Sequence, residues 1–84
     1  MSTQSSQPKL QTKSFYGRVR RCRSADNVTT FEVWNSQGKH IISLPGVHVI
    51  AKNRLVQITS QKGVVVRVQA FKENKTPGPV LFER

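Results

Sequence analysis

"VTTFEVWNSQGKHIISL", Val28 to Leu44, reads as two strands around a turn. In its first half Thr29, Phe31 and Val33 fall on one face, and Thr30, Glu32 and Trp34 on the other. That alternation is the period of a half-buried strand. "NSQG" closes the hairpin, with Gly38 free to take a positive φ, and "KHIISL" returns as the next strand.

The same period extends outward in both directions. Upstream, "SFYGRVRRCR" (Ser14 to Arg23) is a first strand. Phe15, Gly17 and Val19 share one face; Tyr16, Arg18 and Arg20 share the other. Cys22 breaks the parity, and one extra residue near Arg20-Arg21 restores it, as a bulge does. Phe15, Val19 and Cys22 then point inward, while Tyr16, Arg18, Arg23 and the bulged pair point out. "SADN" supplies turn chemistry. Downstream, Pro45-Gly46 ends the third strand, and "VHVIAKN" is too short for a helix, so an irregular connector is expected. "RLVQITS" and "VVVRVQAF" pair about "QKG", with Val64, Val66 and Val68 alternating with Val65, Arg67 and Gln69.

The ends are of two kinds. "PVLFER" is too apolar to stand in water and is expected to pair as a last strand or to dock on a neighbour, with a homodimer through Val80, Leu81 and Phe82 as one outcome. Residues 1–13 are Ser/Gln-rich and read as a disordered polar and basic arm. The expectation is an all-β domain over residues 14–84, a small five- to six-stranded OB-like barrel. Phe15, Phe31, Phe71 and Phe82 are assigned to its core.

Charge is the loudest compositional feature. Of 84 residues, 14 are Lys or Arg and 4 are Asp or Glu, a formal net charge of +10. Self-repulsion of that size destabilises a compact chain, so it points to an anionic partner. No amphipathic helix and no long apolar run favours a membrane, which leaves nucleic acid. One cysteine excludes an internal disulfide, and with no secretory pattern at the N-terminus the expected compartment is the cytoplasm.

For catalysis the inventory is poor. Asp26, Glu32, Glu73 and Glu83 form no carboxylate pair in sequence, and one Cys with two His gives no zinc-ligand spacing. There is no Gly-rich phosphate loop. Neither an enzyme nor a cofactor or metal site is expected. For nucleic-acid binding the inventory is better. Single strands need aromatic planes for bases and cations for phosphates. Tyr16, Arg18, Arg20, Arg21 and Arg23 lie on the first strand; Trp34 and Lys39 flank the second hairpin. Four arginines within six positions, unmixed with acids, are hard to explain as an ordinary solvated face.

Taken in order, Gly17-x-Val19, Phe31-x-Val33, Lys52-Asn53-x-Leu55, Val64-x-Val66-x-Val68 and Gly78 leading into Leu81-Phe82-x-Arg84 resemble the OB-fold barrel of the bacterial translation initiation factor one family. The correspondence runs from about Tyr16 to Arg84. The departures are an apolar "VHVIA" for a basic loop, "QKG" for Gly-Asp, and Gly-Pro-Val for Gly-Arg-Ile. The resemblance implies a barrel that binds RNA across its middle strands, adding Arg54 and Arg67 to the candidate residues. The reading is therefore a single-stranded nucleic-acid-binding protein, RNA ahead of DNA. Its rivals are a phage- or plasmid-type single-stranded DNA-binding protein, a protein–protein module and a structural subunit of a ribonucleoprotein.

Overall fold

The period-two alternation becomes six antiparallel strands in the computed structural model, which describes residues 12–84. They are β1 (Thr12–Ala25), β2 (Val28–Asn35), β3 (Gly38–Pro45), β4 (Leu55–Gln61), β5 (Val64–Phe71) and β6 (Pro77–Glu83). Among the described residues there is no helix.

All six strands belong to one sheet, in the order β3-β2-β1-β4-β5-β6. β1 is long because it serves two partners. Its first half, Thr12 to Arg18, pairs with β4, and its second half, Arg18 to Ala25, pairs with β2. The sheet curls around the apolar side chains until β3 comes within 8 Å of β5. This course is compatible with a small OB-like barrel, a partly open five-stranded architecture.

The inward faces are those that the alternation marks. Val19, Phe31, Val33, Ile42, Leu44, Val56, Ile58 and Val68 are buried together, with Phe15, Cys22, Leu81 and Phe82 packed against them. Register along β1 slips between Arg20 and Arg23, and Arg21 takes φ 54°. That bulge turns Cys22 inward and leaves Arg20, Arg21 and Arg23 exposed. In β5 a second bulge changes the expected alternation. Thr59 pairs with Arg67 but Ser60 pairs with Val65, so Val66 is the extra residue. Val65 packs on the core, and Val64 is exposed in place of the inward position that strict alternation gives it.

Two other expectations shift. Thr12 and Lys13 are strand residues paired with Gln61 and Ser60, so β1 starts inside the segment assigned to the arm. The rest of that segment lies outside the described residues. Phe71 is buried, but on the outer face, edge-on to Tyr16 at 5.2 Å.

The irregular connector, residues 46–54, is held by a buried hydroxyl. Thr29 donates to the Gly46 carbonyl oxygen at 2.8 Å and accepts from the His48 backbone N–H at 2.9 Å. Ser24 then completes its capacity at 2.8 Å as donor, because a threonine hydroxyl has one proton to give. The turns follow their sequence chemistry: Asp26 and Asn27 both take positive φ, as a two-residue hairpin of the right twist requires. The tail forms β6 along β5, as the apolar segment requires.

Candidate nucleic-acid interface

The cross-strand register sets one row of side chains across the outer face. Lys39 on β3 stands opposite Trp34 on β2, Trp34 opposite Arg18 on β1, Arg18 opposite Leu55 on β4, and Leu55 opposite Phe71 on β5. Five strands at about 4.8 Å make this row about 19 Å wide. Tyr16 lies one step below it on β1 and Arg20 one step above, because alternate residues share a face.

Trp34 is the large aromatic of this row, between Lys39 and Arg18. It is 42% exposed, while Phe31 and Val33 on the opposite face of β2 are fully buried. Its Nε1–H donates to the Glu32 carboxylate at 2.9 Å, which fixes the ring's orientation. Two cations reach the ring from the neighbouring strands: the Arg20 guanidinium at 5.7 Å and the Lys39 ammonium at 5.8 Å from the centroid. Beside Trp34 is an open hollow of about 440 Å³, whose walls include Tyr16, Arg18, Arg20, Asn53 and Lys75. Asn35 steadies its edge by donating to the Tyr16 carbonyl oxygen at 2.9 Å.

The arginines are not alike. Arg18 holds Glu73 in a two-point grip, Nη2 to Oε1 at 2.6 Å and Nη1 to Oε2 at 3.0 Å, while Nη1 also donates to the Asn53 carbonyl oxygen at 3.0 Å. The hydrogen bond to Arg18, and then its charge, hold the Glu73 carboxyl below its ordinary range. A depressed carboxyl contributes stability above its unfolded-state value, and that contribution is lost as pH falls through the lowered one. The pair is therefore intact at neutral pH. Arg21 approaches Glu32 at 4.0 Å from an 82% exposed position. Among the described residues Arg20, Arg23 and Arg54 form no ion pair.

The wall is thus not the acid-free surface that composition predicts. Sequence distance conceals the reason. Glu73 lies 55 positions from Arg18 and reaches it because β4 pairs with β1 and β5 with β4, so that Arg18, Leu55 and Phe71 stand in one row and the loop after Phe71 returns to Arg18. Tyr16, Arg18, Arg20, Trp34 and Lys39 are brought together; Arg21 and Arg23 continue along the same strand past the bulge. Arg54 stands at the end of the connector, where its carbonyl oxygen accepts from the Val19 N–H at 3.0 Å, and it borders a neighbouring hollow with Leu55 and Phe71 instead of the one beside Trp34.

Arg67 does not belong to the group. It sits in the row of Ser14, Thr59 and Glu83, four residues along the strand from Arg18, or about 13 Å. It lines a separate hollow and lies 3.9 Å from the Glu83 carboxylate. If the Trp34 face binds nucleic acid, Arg67→Ala should leave affinity and its salt dependence at parent values in a titration across salt, in contrast to Arg20→Ala.

Asn35, Asn53, Glu73 and Lys75 are the residues that sequence reasoning misses. "KENK" reads as a solvated loop, and the pairing of β1 with β4 and of β4 with β5 brings it to the hollow. The histidines pack against aromatic rings: His40 lies 4.5 Å from Phe15, and His48 5.3 Å from Phe82. Leu81 and Phe82 are half-buried on the chain's own core, so Val80 is the exposed member of the three residues offered for a dimer. No helix of the described residues is long and apolar enough to cross a membrane. Comparison with known proteins returns no matching family model, curated protein or solved structure.

Proposed function

We propose that this chain binds single-stranded nucleic acid across the outer face of its curved sheet. Trp34 is the stacking plane, Tyr16 a second one, and Arg20, Lys39 and Arg54 neutralise phosphates. The observation that carries the reading is the half-exposed Trp34 with a cation from each neighbouring strand at its ring. An exposed cation–π contact is worth only about 0.5–1 kcal/mol. A base stacked on an aromatic ring is worth about 1–3 kcal/mol. A base therefore displaces the cation from the ring, and the freed cation is already beside the phosphates that flank that base.

The strand course suits the same reading, since OB-type sheets carry oligonucleotides over strands two and three. Trp34 and Lys39 stand on those strands here. The walls differ from the usual pair of loops. They come from the connector at Asn53 and the loop at Lys75. The resemblance in sequence pattern to the initiation factor one family is the reason for proposing RNA ahead of DNA. A single strand is favoured over a duplex because stacking needs a base free of its partner.

The chain's one tryptophan makes the test direct. Adding single-stranded RNA or DNA should quench Trp34 emission to saturation, and added salt should reverse the quench. For three neutralised phosphates the log–log salt slope is about −2, at about −0.7 for each. A duplex of the same sequence should bind more weakly. An unchanged emission spectrum, with no retention on RNA or DNA at low salt, would end this reading.

A further inference from the structure

Two hollows lie side by side on the outer face, and an ion pair stands between them. The first is the hollow beside Trp34. The second, of about 410 Å³, is bordered by Lys52, Arg54, Lys72 and Glu73. Asn53 and Leu55 border both. Arg18 belongs to the wall of the first, Glu73 to that of the second, and the two-point grip joins them.

The chemistry of that grip is the chemistry of phosphate recognition. A guanidinium presents two parallel N–H groups, which a carboxylate or a phosphate can each accept with two oxygens. Glu73 therefore fills the position on Arg18 that a phosphate oxygen pair would take. The grip is also easily exchanged. Its side chains are 43% and 77% exposed, and solvent-exposed pairs contribute little net stability. The loop's own backbone does not depend on it: Lys72 N–H donates to the Thr76 carbonyl oxygen at 3.0 Å and Lys75 N–H to that of Lys72 at 2.8 Å. Lys72 and Lys75 stand on either side of Glu73 in sequence to receive a displaced carboxylate.

Building on the proposed function, we propose that Glu73 is an internal stand-in for a ligand phosphate. A strand phosphate replaces it on Arg18, and the two hollows become one path leading from Trp34 to Lys52, Arg54 and Lys72. A single nucleotide fills the first hollow and leaves the pair closed. A longer strand opens it, so the ligand is an extended single strand rather than a mononucleotide or a chain end.

The test is Glu73→Gln, which keeps the shape and removes the charge. Arg18 then meets its phosphate without competition. At 0.1 M salt the affinity for a long single strand should rise about five-fold, the worth of the exposed pair that no longer has to open, with the salt slope unchanged because the same phosphate meets Arg18 in both proteins. Affinity for a mononucleotide should not change. Adding Arg18→Ala to Glu73→Gln should abolish the gain. Equal binding by the parent and Glu73→Gln, or weaker binding by the variant with its melting temperature intact, would overturn the gate while leaving nucleic-acid binding in place. Binding by neither protein would overturn the underlying function instead.

Discussion

Gly17→Ala should lower stability by about 1–3 kcal/mol, the usual cost of forcing extra volume into a filled site. In a domain of this size that is a fall in melting temperature of at least about 4 °C. The reason is the close approach of β1 and β2. A Cβ at position 17 would run into the Val33 side chain and would lie 2.8 Å from the Trp34 carbonyl oxygen. A methyl of Val33 can turn away. The carbonyl cannot, because β2 is laddered to β1 on one side and to β3 on the other. The strand must move, and Trp34 moves with it. Gly17→Ala should therefore also weaken nucleic-acid binding, although Gly17 itself offers no side chain to a ligand. Thermal unfolding followed by circular dichroism reads the first effect, and a fluorescently labelled oligonucleotide reads the second. A parent-like melting temperature would show that the two strands have slack between them.

A chain with +10 formal charge can hold four of its arginines on one strand because the strand turns them to solvent. Arg18, Arg20 and Arg23 are on the outer face of β1, where water and salt screen them. Three of the four acids stand within 4.0 Å of an arginine: Glu73 at Arg18, Glu32 at Arg21 and Glu83 at Arg67. Each contact is exposed on at least one side and is weak. They relieve repulsion in the free protein without tying the cations up. On the proposed function, an anionic strand that offers many phosphates in a row should outcompete these single carboxylates.

Much of the fold was legible because side-chain parity is a local property. "VTTFEVW" marks Thr29, Phe31 and Val33 as inward from seven residues alone, and all three are buried. The bulge near Arg20-Arg21 was legible for the same reason, since Cys22 is apolar where strict alternation would place it outward. The bulge at Val66 was not. Val64, Val65, Val66 and Val68 are chemically equivalent, so a slip of one residue leaves no mark on the sequence. Residues of the candidate site divide along the same line. Tyr16, Arg18, Trp34 and Lys39 follow from parity and one hairpin register. Glu73, Asn53 and Lys75 reach the site through the pairing of β1 with β4, which sets Arg18 opposite the distant Leu55, and of β4 with β5, which no local pattern around Arg18 encodes.

Trp34→Ala carries the largest expected effect on binding. Loss of one stacking plane is worth about 1–3 kcal/mol, or roughly 5- to 150-fold in affinity. The alternative for Trp34 is a purely structural role, in which the ring shields the sheet and the cations merely cover it. The two roles separate on stability. Trp34 is 42% exposed, and its neighbours in register are Arg18 and Lys39, so no core cavity opens when it is removed. Melting should stay near the parent value while affinity falls, and the fall should be similar at low and high salt, because stacking releases no counterions. Arg20→Ala should behave in the opposite way: a smaller loss, concentrated at low salt, with the salt slope reduced by about 0.7. Trp34→Phe keeps a ring and should recover most of the binding that Trp34→Ala loses. If Trp34→Ala instead lowered the melting temperature and left the affinity of the folded protein unchanged, the ring would be part of the scaffold, and the stacking plane would have to be sought at Tyr16.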